Sequence, residues 1–435
     1  MGVSFISYTP LILLLVLFAL RVPIAFSLFI SSMYYFAFLN VDMPIHLTLQ
    51  NVVGSIQSFT LLAVPFFIMI GVVMNYSGIS TRILSFSDLL VGHMKGGLGQ
   101  VNVIVSTIMG GITGSSNADA AMDCKILVPE MVKRGYDKEF CAAVTASSSI
   151  IPSIIPPGIV LLIYCMITRV SVGRLFLAGY IPGFLLCIAM MITVAIIARR
   201  RGYGKVREKR ASLVEIIKGA RHALLALLMP LGFIMGIRFG VFTPTEGGAV
   251  AVLYCFVVGI FIYRELKPKD IIPILRETFT STAEVLFIVI GANLFGYYLS
   301  WERIPESMSQ IILQFTGNKY IFLLAVNILL LVMGAFMEAA PVIIILIPIL
   351  MGPLQSLGID MIHFGIIMVL NLQIGGVTPP FGSMMFIVCQ MLQLPMDKFI
   401  KANVPFLITC LIVLMLITYV PFISMFLPTL VMPMP

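Results

Sequence analysis

The chain has 435 residues, 60% of them hydrophobic and 11% charged, with a formal net charge of +8. Soluble domains carry about 25% charged residues. A water-soluble fold cannot hide this much apolar surface, so lipid must be the solvent and a soluble enzyme or binding module is excluded.

Windows of about 20 apolar residues predict membrane spans at 8–20, 23–39, 59–76, 139–168, 176–198, 222–237, 245–263, 282–299, 361–392 and 402–420. The first stretch has neither a charged leader nor a small-residue cleavage site, so it reads as a membrane helix and not as a removed signal peptide. The ranges 46–57, 80–93 and 266–278 are amphipathic or mixed and read as interfacial helices. Two further apolar stretches, 99–131 and 320–352, are broken at their centres by GGITGSSNADA and MGAFMEAAP. A break at membrane depth is tolerated only where it is buried in protein or lines a watery cavity, so both read as re-entrant hairpins.

Charge orients this map. With the loops near residues 21, 78–98, 132–138, 199–221, 264–276 and 393–401 on the cytoplasmic side, that side holds 21 Lys and Arg and the other side five. The bias places both termini outside, in the periplasm of a bacterium. The basic charge is then a matter of topology and needs no nucleic acid. Nine of the basic residues lie in 199–221, which divides a first half, 1–198, from a second, 222–435. Within each half, scaffold helices and arm (1–95 and 222–316) precede a hairpin and broken helix (96–198 and 317–435).

The halves match internally. GYDKEF at 135–140 faces GIDMIH at 358–363, IPPG at 155–158 faces TPPF at 378–381, and VGRLF at 172–176 faces PMDKF at 395–399, all offset by 223. Upstream, DAAMDCKILVP at 119–129 faces EAAPVIIILIP at 338–348, offset by 219. An odd number of crossings separates the copies, so they are inverted. The expected fold is an all-α integral membrane protein, an inverted repeat of about ten transmembrane helices plus two hairpins. In secondary transporters of that kind, binding lies near the midplane where the breaks meet.

Each half interrupts itself twice: at the tip 110–119 and in SSSIIPSIIPPG (147–158), then at the tip 334–340 and in NLQIGGVTPPFGS (371–383). A Pro-Pro pair removes two backbone donors and excludes helix for the residue before it. The freed carbonyls, with nearby hydroxyls, suit a dehydrated Na+. One cation is expected among Thr113, Ser116 and the carbonyls near Pro152, Ile155 and Pro157. By the repeat, a second is expected among Gly334, Met337, Gly375, Thr378 and Pro380. Helix N-termini at the tips would meet a substrate anion, with Ser115, Ser116, Asn117, Thr378 and Ser383 as hydrogen-bonding side chains. Asp119 and Glu338 sit at equivalent places beside the tips, either as helix caps or as coupling acids. Glu246 and Glu284 have no acidic counterpart and receive no role. The seven cysteines lie in apolar runs without metal spacing. Neither a phosphate loop, HExxH nor GxSxG occurs, so neither catalysis nor an organic cofactor is expected.

GGITGSSNADAAM (110–122), SIIPSIIPPGI (149–159), AGYIPG (178–183) and GGVTPPFG (375–382) together resemble the large membrane subunit of tripartite ATP-independent periplasmic (TRAP) transporters, over essentially the whole chain. The resemblance implies an elevator-type, Na+-driven carrier in the bacterial inner membrane. It further implies a separate small four-helix membrane subunit and a periplasmic solute-binding protein as partners, with carboxylates (C4-dicarboxylates, other organic acids or sialic acid) as solutes. Its cation ligands would be the tip and Pro-Pro residues already named. Asn117 stands where that family often carries an apolar residue. A stand-alone ion-coupled carboxylate symporter of the wider hairpin-bearing superfamily is the alternative.

Overall fold

The computed structural model describes residues 8–20, 22–39, 50, 52–54, 57, 62–239, 241–304, 307 and 317–432. Among these there are eighteen α-helices and no strand. The first half runs α1 (Thr9–Ala19), α2 (Ile24–Tyr34, extended by a π-turn Tyr35–Leu39), α3 (Ala63–Tyr76), α4 (Ile79–Val91), α5 (Gly97–Thr113), α6 (Ser116–Lys133), α7 (Lys138–Ser148), α8 (Ile159–Thr168) and α9 (Val172–Arg201). The second runs α10 (Leu213–Arg238), α11 (Pro244–Val257, extended by a π-turn Val258–Ile262), α12 (Ile271–Trp301), α13 (Lys319–Phe336), α14 (Ala339–Ser356), α15 (Met361–Gly375), α16 (Ser383–Leu392), α17 (Met396–Tyr419) and α18 (Phe422–Val431).

Helix α2 packs on α12, α3 on α11 and α12, and α4 on α10, so the early helices of the two halves form one scaffold. The hairpins α5/α6 and α13/α14 and the broken helices α7–α8 and α15–α16 form the other body. Its halves interlock through α7 with α17, α6 with α16 and α8 with α14. Each hairpin leg has 17 or 18 residues, a rise of about 25–27 Å. The core is aliphatic and aromatic, and all seven cysteines are buried and free.

Several expectations are changed by the structure. Among the described residues six helices are long and apolar enough to cross a bilayer, or seven if the pair α3 and α4, bent by 73°, counts as one span. The expected count of about ten is a different measure: it also takes in the shorter helices α1, α2 and α3 and the broken pairs α7–α8 and α15–α16, and it leaves out the hairpin legs α13 and α14. As the breaks expected at 147–158 and 371–383 require, the spans 139–168 and 361–392 each divide into two short helices: Pro152 has no N–H for the Ser148 carbonyl at the end of α7, and Pro379 has none for the Gly375 carbonyl at the end of α15. The predicted interfacial segment 266–278 is no separate arm: a 3-10 turn, Pro268–Asp270, runs directly into α12. No Gly or Pro between Ile274 and Ile290 offers a stopping point. The 46–57 segment lies mostly outside the described residues. The 80–93 segment is α4, with Ile79, Ile83, Ser87 and Val91 buried along one stripe. The linker is only partly a loop, since Arg199 to Arg201 close α9 and α10 begins at Leu213. Basic side chains at a helix C-terminus are favourably placed against its dipole. Helix α18, seated on α9, was not expected.

Candidate functional site

The first tip is pressed against the first break. Gly114 closes α5 in the left-handed region at φ +58, and a Cβ there would lie 2.0 Å from the Pro157 carbonyl oxygen. Only glycine permits that approach. The Ile159 N–H donates to the Gly114 carbonyl at 3.4 Å. A Cβ on Gly110 would lie 3.0 Å from the Pro152 Cα, and the Ser116 and Ser153 hydroxyls share a hydrogen bond of 2.6 Å. Thr113, Ser116, Pro152, Ile155 and Pro157 are thereby gathered into one junction. An α-helical bond to the carbonyl of Pro152 or Ser153 would need the N–H of residue 156 or 157, and both are prolines. Thr113 Oγ1 donates to Met109 of its own helix at 3.3 Å, which leaves the oxygen's lone pairs for a cation. Carbonyl and hydroxyl oxygens of this kind match a hard cation. Among the described residues no group of three His, Cys, Asp or Glu is arranged to hold a metal.

The second tip repeats the arrangement. A Cβ on Gly334 would lie 2.8 Å from the Leu372 carbonyl oxygen, and one on Gly375 2.4 Å from the Gly334 carbonyl carbon. The Phe381 N–H donates to the Ala335 carbonyl at 3.0 Å. Gly334, Gly375 and Thr378 come together here, beside Met337, which links α13 to α14 in an extended conformation. Thr378 Oγ1 donates to Ile374 at 2.7 Å. Pro380 is exposed. The Pro156–Pro157 and Pro379–Pro380 peptide bonds are both cis.

The two tips meet through Asn117. Its Nδ2 donates to Glu338 Oε1 at 3.1 Å, and its Oδ1 accepts from Ser383 Oγ at 3.4 Å. The predicted anion-binding side chains therefore separate into roles. Asn117 and Ser383 face one another across the halves. The Ser115 oxygen accepts from the Ala118 N–H as the cap of α6, Ser116 turns to the first break, and Thr378 belongs to the second junction.

Of the two roles open to Asp119 and Glu338, capping is not the one observed. Ser115 caps α6, and Asp119 Oδ2 instead accepts from Ser149 Oγ at 2.9 Å. Glu338 occupies the N-cap position of α14 without a side-chain cap bond, and its carboxylate reaches Asn117. The likeness of sequence at 119 and 338 hides a difference in burial: Asp119 is 1% exposed, while Glu338 is exposed.

The sequence reading missed Ser153, whose hydroxyl completes the first junction, and Asn403. The latter accepts from Ser147 Oγ at 2.7 Å and donates to the Val377 carbonyl at 3.1 Å, tying both breaks together. It also missed Asp123, although i,i+4 spacing from Asp119 puts the two on one helix face.

Comparison with known proteins gives the context for this geometry. A family profile described as tripartite ATP-independent periplasmic transporter, DctM component, matches residues 11–423. The sialic acid TRAP transporter large permease protein SiaM of Vibrio cholerae is 38% identical over 408 residues, covering 94% of this chain and 95% of that protein. The C4-dicarboxylate TRAP transporter large permease protein DctM of Pseudomonas aeruginosa is 38% identical over 372 residues, covering 86% and 87%. Among solved structures, the Alcanivorax borkumensis YdaH transporter superposes with a TM-score of 0.64 over 87% of this chain and 88% of that one. Its sequence identity is 14%, so the likeness is one of fold. The profile and both relatives agree over nearly the whole length, and the chain belongs to the DctM-component family of tripartite ATP-independent periplasmic transporters.

Proposed function

We propose that this chain is the large permease subunit of a Na+-driven importer of carboxylate solutes, working as an inverted repeat with an elevator-like motion. The observation that carries the reading is the pair of tip-and-break junctions at positions related by the internal repeat. In each, a small-residue tip is packed against a helix whose continuity two prolines have removed. The oxygens of Thr113, Ser116, Pro152, Ile155 and Pro157 form one Na+ site, and those of Gly334, Met337, Gly375, Thr378 and Pro380 the other. Na+ bound there would fix each tip to its break and so complete the solute site between them. The solute's carboxylate would be met by the N-terminal turns of α6 and α16, with Ser115, Asn117 and Ser383 as hydrogen-bond partners. Two relatives are named for sialic acid and for C4-dicarboxylates, both carboxylate-bearing, which supports that solute class. The hairpin-bearing body would move against the scaffold of α1–α4 and α10–α12. A separate small four-helix membrane subunit and a periplasmic solute-binding protein complete the system in the inner membrane, with both chain termini periplasmic.

The test is uptake of labelled carboxylates into proteoliposomes holding this chain and the small subunit, with and without the binding protein, under an inward Na+ gradient. Uptake is expected to need both, and Ser116→Ala is expected to weaken its Na+ dependence. The exposed Ser85, on α4, is the control: its Ala variant should behave as wild type. Uptake of free solute without a binding protein would favour the stand-alone symporter, and flux indifferent to Na+ would remove both cation sites.

A further inference from the structure

Between the two legs of the first hairpin and the first half of the broken helix lies a closed polar cluster. It is made of Asn102 and Ser106 on α5, Asp119 and Asp123 on α6, Thr145 and Ser148 on α7, and Ser149 at the C-cap of α7, none more than 1% exposed. Its hydrogen bonds do not balance. The single Ser149 hydroxyl proton is wanted by Asp119 Oδ2 at 2.9 Å and by the Thr145 carbonyl at 2.7 Å. The single Ser106 proton is wanted by Asp123 Oδ2 at 3.4 Å and by Ser148 Oγ at 3.2 Å. Ser148 turns its own proton to Asn102 Oδ1 at 2.7 Å or to the Thr145 carbonyl at 3.2 Å. Asp119 Oδ1 and Asp123 Oδ1 are both buried and meet no donor at all. Among the described residues neither carboxylate is paired with a Lys, Arg or His.

A carboxylate buried without a counter-charge is among the most costly groups a fold can carry. Here there are two, one helical turn apart, each with a bare oxygen. The internal repeat provides the control. Asp123 corresponds to Val342, which is fully buried, and Asp119 to Glu338, which is exposed and bonded to Asn117. The same space in the second half is filled without buried acid, so the fold itself does not require the pair.

We propose that Asp119 and Asp123 form a binding site for a small hard cation, Na+ under transport conditions, separate from the two tip junctions. The bare carboxylate oxygens and the hydroxyls of Ser106, Ser148 and Ser149 are its ligands, an all-oxygen set of the kind such ions take. Occupancy would tie α5, α6 and α7 together and hold the hairpin to the helix that carries Pro152, three residues beyond Ser149. The site goes beyond the proposed function and needs no particular solute to be correct.

The experiment is thermal unfolding of the purified full chain in detergent, titrated with NaCl against choline chloride at constant ionic strength. The wild type is expected to gain stability with Na+ and not with choline. Asp123→Asn, of nearly equal volume, is expected to fold in choline at least as well as the wild type, since a repelling buried charge is gone. Its apparent Na+ affinity should fall roughly 10-fold or more, the scale for disturbing a metal site. Asp123→Val, the residue of the equivalent position, should behave likewise and serves if the Asn variant does not fold. Ser116→Ala should keep this component of the Na+ response. A full Na+ response in the Asp123 variants, no response in the wild type, or equal loss in Ser116→Ala would each overturn the site. Because no solute is present, failure of carboxylate uptake in vesicles would leave it untouched.

Discussion

At the scale of single residues, the junctions depend on atoms that are missing. Pro156 and Pro157 lack the N–H groups that would have satisfied Pro152 and Ser153, and Gly114 lacks the Cβ that would collide with Pro157. Gly114→Ala should therefore act twice. The left-handed backbone costs about 1 kcal/mol for any residue with a Cβ, and the 2.0 Å clash forces the tip from the break. Gly135 separates these effects: it has φ +84 and open space within 4 Å of its Cβ position. Gly135→Ala should lose only the backbone term, about 1 kcal/mol, and keep Na+-dependent uptake. Gly114→Ala should lose most of that uptake, and thermal unfolding in parallel with a flux assay reads both. If the two variants transported alike, close contact between tip and break would be irrelevant to the carrier.

At the scale of elements, the hairpin body is fastened to the basic end of α9 by a small surface cluster. Tyr203 Oη donates to Asp137 Oδ2 at 2.5 Å, and the Arg201 guanidinium donates to the same oxygen at 2.7 Å. Asp137 leads into α7, so this cluster fixes where the broken helix begins. The Tyr203 hydroxyl, and after it the Arg201 guanidinium, hold the Asp137 carboxyl below the usual carboxylate range. A carboxyl depressed in the folded state stabilises the fold above its unfolded pKa and loses that contribution as pH falls through the folded value. The ion pair is about half exposed, so its worth is small, about 0.5–1 kcal/mol after screening. Asp137→Asn should lower the unfolding temperature slightly at pH 7. The variant and wild type should converge as the buffer is taken below about pH 4. A gap that stays constant with pH would mean that Asp137 contributes by shape and not by charge.

At the scale of the whole molecule, the parts legible in the sequence were those written in local chemistry. The breaks at 155–158 and 378–381 follow from Pro-Pro pairs, and the tips from small residues inside apolar runs. The family follows from those strings, and the relatives bear it out. What could not be read were partners brought together by folding. Ser147 and Asn403 are 256 residues apart, and the different fates of Asp119 and Glu338 depend on which helix each one faces. Asn117 is the sharpest case, since the string gave its place at the tip and not the fact that it spans to Glu338 and Ser383 of the other half. Its bonds are partly solvated, so Asn117→Ala should cost the fold no more than about 1 kcal/mol. The same loss at the point where the halves meet should appear in solute handling, as a rise in KM of roughly 5-fold with the Na+-dependent thermal shift retained. Saturation curves for uptake beside unfolding curves test this. A variant whose KM is unchanged would place the solute away from the Asn117–Ser383 contact. One that lost its Na+ response as well would show that the meeting of the tips, and not each junction alone, builds the cation sites.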